Sequence, residues 1–243
     1  MRRLLLLALL LSCTAGRGAE VRVFAAASLT DALQEIAAAY ERQTGDDVVF
    51  HFAASNLMAR QIERGAPADL FLSADERTMN ALAAQRLIRN ATRVSFLSNT
   101  LVVVVPREGG KAISSPGDLI GLSLALAEPS TVPAGVYAKS WLEKAGVWSR
   151  VSGSVVPTDN VRGALAAVAS GNVDAAIVYK SDAKISDRVR VAFEVPRAEG
   201  PGISYPFAIL RDAEQPRAAE RFLAYLQSKA AMDIFLRHGF LPR

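Results

Sequence analysis

The sequence predicts an α/β fold of two lobes, with mixed, mostly parallel sheets flanked by helices and two hinge crossovers joining the lobes. Three observations predict it. Short apolar, β-branched runs alternate with helical patterns through residues 20–86, the signature of βαβ units and of parallel pairing. An apolar stretch of about fourteen residues, "RVSFLSNTLVVVVP" at 93–106, is too long for one ordinary strand and reads as a strand passing from one lobe to the other. A second alternating cycle follows it.

Taken in order, "VRVFAA" is a strand, 29–43 a helix, "DDVVFHFAA" a strand, 56–64 a helix, "ADLFLSA" a strand and 76–86 a helix. After the crossover come "LSLALA" as strand, 134–145 as helix, "GSVVP" as strand, 160–170 as helix and "VDAAIVY" as strand. The cycle closes with strands at "RVRVAFEV" and "ISYPFAIL", the latter able to return to the first lobe. Residues 214–227 and 229–237 read as terminal helices packed on that lobe, with Ser228 capping the second. The lobes are thus expected at 20–101 with 206–243, and at 102–205. Hinges fall at 93–106 and near 203–210. No repeat or heptad seam interrupts the pattern.

The 243 residues, 51% of them hydrophobic, suffice for one large core or two small ones. Residues 1–19, "MRRLLLLALLLSCTAGRGA", join two arginines, a leucine run too short to span a bilayer and a tail of small residues, and read as a secretory signal. The single cysteine, Cys13, lies inside that leader, so the mature chain carries no thiol and the expected location is the periplasm. Lipid anchoring through Cys13, with Leu-Leu-Ser-Cys as a lipoprotein cleavage site, is the alternative. Three of the 28 basic residues, Arg2, Arg3 and Arg17, leave with the leader, which brings the charge of +4 down to about balance with the 24 acids. The remaining charges alternate in sign, as in "RDAEQPRAAER", so the basic stripe of a nucleic-acid binder is absent.

Ligands of such sheets bind beyond the carboxyl ends of the strands. Five seams lie there: Ala27-Ser28, Ala54-Ser55, "STVPAG" at 130–135, "TDNVRG" at 158–163, and Tyr179 ending "AAIVY". The first four open helices, whose terminal amides lack intrahelical partners and carry partial positive charge. Several such termini converging make an anion site that needs no lysine or arginine. Each residue also has an ordinary explanation. Ser28 with Asp31 forms a capping-box-like pair, Pro133 suits a first helical turn, Asp159 is a good cap, and Tyr179 fits a core tyrosine with its hydroxyl bonded at the surface.

The ordered blocks "AAASLTDAL", "FAASNLMARQIERGAPADLFLSAD", "VPAGVYAK", "NVRGALAAVASGNVDAAIVYKSDA" and "FLRHGFLP" closely resemble the molybdate-binding periplasmic proteins of ABC transporters, across nearly the whole mature chain. The resemblance implies a type II periplasmic-binding-protein fold that closes on molybdate or tungstate and delivers it to a permease in the inner membrane, acting as a monomer without cofactor or catalysis. Matched by motif, the ligand positions fall on Ser28 and Ser55 (hydroxyl and amide), Ala134 and Val161 (amide) and Tyr179 (phenol), all on the seams above. The molybdenum would be held as its oxyanion, with no residue ligating a cation. Where the family often has glycine beside the second serine, this chain has Ala54 and Asn56, which leaves the local turn and a contact from Asn56 open.

Uncharged dipoles suffice for such an ion. Hydrogen bonds to charged groups contribute about 1.5–3 kcal/mol each, so six or so give a gross term of roughly 10–15 kcal/mol, against about 8–12 kcal/mol for a micromolar to nanomolar complex. A donor-only pocket mismatches the proton that phosphate retains near neutral pH. Sulfate is excluded by its smaller size, and tungstate, matched in size and charge, is not separated from molybdate. Two other functions stand beside this one: a binding protein for another oxyanion such as sulfate, and a secreted enzyme using a cleft carboxylate such as Asp31 or Asp159. His51 and His238 have no spaced partner and read as structural. "NATR" at 90–93 is a glycosylation sequon by pattern only, and Arg60, Glu63 and Arg64 lie on an exposed helix face that could meet a permease.

Overall fold

The computed structural model describes residues 18–243. The expected leader, with Cys13, Arg2, Arg3 and Arg17, lies outside the described residues except for its last two positions.

The first cycle runs β1 (Glu20–Ala26), α1 (Thr30–Thr44), β2 (Asp47–Ala53), α2 (Ser55–Glu63), β3 (Leu70–Leu72) and α3 (Glu76–Ala84). Helix α1 buries Ala32, Leu33, Ile36, Ala37 and Tyr40, a helical stripe, and stops at Gly45, whose φ of 76° gives the left-handed C-cap that glycine adopts without strain. Strand β1 pairs in parallel with β2 and β3, as the intervening helices require.

The long apolar stretch is two strands, β4 (Val94–Ser98) and β5 (Leu101–Pro106). It breaks at Asn99-Thr100 because the Asn99 side chain intercepts the ladder: its Oδ1 accepts the Thr100 N–H at 2.9 Å. The second cycle is β6 (Leu124–Ala127), α4 (Pro133–Lys144), α5 (Trp148–Val151), β7 (Val155–Thr158), α6 (Val161–Ala169), β8 (Ala175–Tyr179), α7 (Lys180–Ala183) and β9 (Val189–Glu194). The chain then returns as β10 (Tyr205–Ile209), α8 (Pro216–Leu226), α9 (Lys229–Arg237) and β11 (Leu241–Pro242). Ser228 caps α9, its hydroxyl accepting the Ala231 N–H at 3.2 Å.

Two mixed sheets result, ordered β11-β4-β10-β3-β1-β2 and β7-β6-β8-β5-β9. Helix-linked strands pair in parallel, β6 with β7 and β8 as well as β1 with its neighbours. The crossover strands pair antiparallel: β10 with β3 and β4, β5 with β8 and β9. β5 is buried along Leu101–Val105, which is why its sequence shows a continuous apolar run and not an alternation. The two passages between sheets lie side by side, tied where the Ser98 hydroxyl donates to the Ile203 carbonyl at 2.7 Å and the Val195 N–H to the Leu101 carbonyl at 3.0 Å. The parallel strands of both sheets consequently point their carboxyl ends into one crevice. No helix among the described residues is long and apolar enough to cross a membrane.

Candidate functional site

Each predicted site residue sits in the connection that follows a parallel strand, or at that strand's end. Ser28 lies in the 3₁₀ turn Ala27–Leu29 between β1 and α1, and Ser55 is the first residue of α2 after β2. Ala134 is the second residue of α4, Val161 the first of α6, and Tyr179 the last of β8. All five line one small cavity of about 20 Å³, together with Ala26, Ala27, Ala54, Ala74, Val132, Pro133 and Asn160. No charged side chain among the described residues lines it. A larger hollow of about 310 Å³ lies behind the crossovers, bordered by Asn99, Arg197 and Arg243, and includes none of the five.

Helix α4 reaches the cavity because of Gly135. A Cβ there would lie 1.9 Å from the Ala127 carbonyl oxygen, so only glycine lets the helix start rest directly on the end of β6. Pro133 occupies the first helical position, where its missing N–H costs nothing, and the Ala134 amide behind it is one of the orphan donors of a helix start. At α6 the cap is Asn160, whose side chain accepts the Arg162 and Gly163 N–H groups at 2.9 and 3.2 Å. The Val161 amide is thereby left for the cavity.

Three local expectations need correction. Asp159 is not the cap of α6, since Asn160, one residue on, has the extended backbone that presents its side chain to the helix amides. Ser28 does not cap α1; the helix has no side-chain cap, and the Ser28 hydroxyl lies 3.2 Å from the Tyr205 hydroxyl instead. The expected surface bond of Tyr179 is also absent. Its ring is buried and its hydroxyl has no hydrogen-bond partner among the described residues, while burial pushes the phenol well above its ordinary pKa, so it keeps its proton. The Ser55 hydroxyl accepts the Ala74 N–H at 2.9 Å. Asn56 does not line the cavity, and its Oδ1 is buried without a partner among the described residues.

Sequence reasoning missed the residues that support this shell. Asn99 Nδ2 donates to the Ser181 and Tyr205 hydroxyl oxygens at 2.8 and 3.3 Å. Arg162, beside Val161, places Nη2 2.5 Å from Asp31 of α1 and Nε 2.7 Å from Asp182 of α7. The "SNT" break inside an apolar run was the one signal for Asn99. Nothing local marked Tyr205 or Arg162.

Other candidates have ordinary surroundings. His51 packs on Phe24 with ring centroids 5.0 Å apart, and His238 Nε2 lies 2.7 Å from Glu35. Asp31 is engaged by Arg162 and is not a free cleft carboxylate.

A crevice between two mixed α/β sheets, lined from both sides by helix starts, is the architecture of a solute trap, and residues 21–241 match the family of bacterial extracellular solute-binding proteins. The chain belongs to that family. It is 42% identical over 228 residues to the molybdate-binding protein ModA of Escherichia coli (strain K12), covering 91% of this chain and 88% of that one. It is 37% identical over 231 residues to the molybdate-binding protein ModA of Haemophilus influenzae, covering 91% and 90%. Among solved structures, the periplasmic molybdate-binding protein of Azotobacter vinelandii superposes with a TM-score of 0.82 at 23% identity, over 91% of this chain and 98% of that one; at that identity the likeness speaks for the fold alone.

Proposed function

We propose that the protein captures molybdate, and tungstate equally, between its two lobes and delivers it to an ABC transporter permease in the inner membrane. The observation that carries this reading is the uncharged cavity itself: two serines from one side, and two helix-start amides and an unpartnered phenol from the other, with no lysine or arginine among its lining residues. The relatives named above for molybdate support the choice of oxyanion.

In this mechanism Ser28 and Ser55 donate through hydroxyl and amide, Ala134 and Val161 through amide, and Tyr179 through its phenol. The anion replaces its water shell by dipoles from both lobes, taken as 20–101 with 206–243 and as 102–205. The closed state is stabilised by contacts that exist only when the lobes meet. Residues 1–19 serve as the export signal, the mature protein acts as a monomer in the periplasm, and no bond of the ligand is made or broken.

Isothermal titration with molybdate, tungstate, sulfate and phosphate tests the reading, with molybdate and tungstate expected to bind alike and far above the others. The Val161→Pro variant isolates one dipole. Proline is tolerated at the first helical position, and Asn160 before it, at ψ 174°, already has the extended backbone a following proline demands. Loss of that single donor is expected to weaken molybdate about 10- to 100-fold with the fold intact by circular dichroism. Unchanged affinity would remove Val161 from the site, and tighter binding of sulfate would replace the ligand.

A further inference from the structure

The hydroxyls of Ser28 and Ser55 each have a donor behind them, and the two donors are of different kinds. Behind Ser55 stands the Ala74 backbone N–H at 2.9 Å, a group that never accepts. Behind Ser28 stands a relay of side chains. Its direction is set at the crossover, where the Thr100 N–H donates to Asn99 Oδ1 at 2.9 Å and so fixes which end of that amide is oxygen. The Nδ2 end then donates to the Tyr205 hydroxyl oxygen at 3.3 Å, and also to Ser181. With its oxygen accepting from Asn99, the Tyr205 hydroxyl has its proton left for Ser28 Oγ, 3.2 Å away. Tyr205 is fully buried, and burial pushes its pKa far above the ordinary phenol value, so that proton stays in place. Each serine oxygen therefore already accepts one hydrogen bond from behind, which closes that direction to its own proton and leaves the cavity as the outlet.

We propose that Asn99 and Tyr205 are specificity-determining residues: through this relay, and with the Ala74 amide doing the same for Ser55, they orient both cavity serines as donors and so reject oxyanions that carry a proton. The inference rests on the oxyanion-binding reading above and adds the residues that enforce it. Phosphate, protonated near neutral pH, meets donor against donor at both serines. Tyr179, whose hydroxyl has no partner among the described residues, is the one cavity hydroxyl left unoriented, and it could serve a protonated anion only by giving up its own donation. Sulfate carries no proton, so the relay has no bearing on its exclusion. Neither Asn99 nor Tyr205 lines the cavity, so both act through Ser28.

The test compares anions that differ in the proton and not in charge, by titration calorimetry and competition at pH 8 with molybdate, sulfate and phosphate on wild type, Asn99→Asp and Tyr205→Phe. An aspartate at 99 can only accept. It takes the Tyr205 proton, Tyr205 then accepts from Ser28, and the relay runs backwards, leaving a Ser28 lone pair facing the ligand. In Asn99→Asp, phosphate affinity relative to sulfate is expected to rise about tenfold, because at pH 8 phosphate is chiefly the protonated dianion, equal in charge to sulfate, so that the added negative charge penalises both alike and cancels in the ratio. Tyr205→Phe, which frees the Ser28 rotor without adding charge, is expected to shift the same ratio about threefold. The molybdate-to-sulfate ratio should stay within about twofold in both. The proposal is overturned if the phosphate-to-sulfate ratio is unchanged in both variants, or if the two anions gain together at the expense of molybdate, which is the mark of a loosened cavity. A wild type that prefers sulfate to molybdate but shows the ratio shift would sink the molybdate reading and keep the relay; a wild type that binds no oxyanion would sink both.

Discussion

Val161 and Arg162 are neighbours in the chain and belong to opposite designs. Val161 lines a cavity without a single charged side chain, whereas Arg162 sits in a dense ion cluster, held by Asp31 at 2.5 Å and by the fully buried Asp182 at 2.7 Å. A guanidinium aimed at the cavity would bind a dianion strongly. Here it is instead compensated by two carboxylates that come from α1, the helix after Ser28, and from α7, the helix after Tyr179. The contrast teaches that charge is kept near the site as a structural tie between the segments that carry the donors, while the donors themselves stay neutral. Under the proposed function, neutral dipoles suit an ion that must later be released, and the tie would keep those dipoles in register.

The comparison breaks most visibly if the tie is removed. Burial pushes the Asp182 carboxyl up from 3.8 to about 6, with the Arg162 charge and the Tyr179 N–H offsetting part of that cost. The sign follows from linkage: a folded-state value above the unfolded one means the contribution of this group to stability is full below about pH 4 and declines as pH rises through 6. Arg162→Met leaves the carboxylate buried without its cation, a loss of about 3–5 kcal/mol. Its pKa then rises further, so the deficit against wild type should be largest at pH 8 and shrink at pH 5, where the carboxyl takes a proton. Urea unfolding at the two pH values reads this directly. An equal deficit at both would mean that Arg162 matters through packing and not through Asp182.

A smaller effect sharpens the other half of the contrast. Replacing a buried tyrosine by phenylalanine ordinarily strands a hydrogen-bond partner, but the Tyr179 hydroxyl has none among the described residues. Tyr179→Phe should therefore leave the ligand-free protein as stable as wild type or more stable by about 1 kcal/mol, while molybdate affinity falls about tenfold. Thermal unfolding with and without ligand separates the two. A destabilised ligand-free protein would show that the phenol has a structural partner, and would turn Tyr179 back into an ordinary core residue.

How much of this was legible in the sequence depended on how far apart the interacting residues lie. The five cavity residues were readable because each sits at a seam between a strand and a helix, and the fold class followed from hydrophobic periodicity, which is local. Two caps were read wrongly for the same reason, although Ser228 was read correctly. Ser28 beside Asp31 satisfies a local pattern, yet its hydroxyl answers to Tyr205, 177 positions away. Choosing Asp159 over Asn160 was an error of one residue, since both are good caps and only the backbone decides. The tie was invisible: Arg162 and Asp31 are 131 positions apart, each at an unremarkable place on a helix, and no pattern of spacing connects them. The strand break at Asn99 was written in "SNT", but the role of that amide in orienting Tyr205 needed the return strand beside it.

The smallest effect bears on function most directly, because Asp31 and Arg162 stand on elements of different sheets, α1 following β1 and α6 following β7. Their ion pair is one of the bonds made across the crevice. Asp31 is 38% exposed, so the pair is worth at most about 1 kcal/mol, far less than the Asp182 pairing on the other side of the same guanidinium. Asp31→Asn should therefore spare the fold, since Arg162 keeps its buried partner, and should leave the association rate within about twofold. It should speed molybdate release about two- to fivefold, measured by stopped flow with excess competing tungstate. Salt provides the internal control. Raising ionic strength screens a partly exposed pair, so release from the wild type should quicken with salt toward the variant's rate, while the variant itself stays flat. If both respond to salt alike, the bond across the crevice contributes nothing to closure, and the ion cluster serves only to hold α6 against α7 within the second sheet's layer.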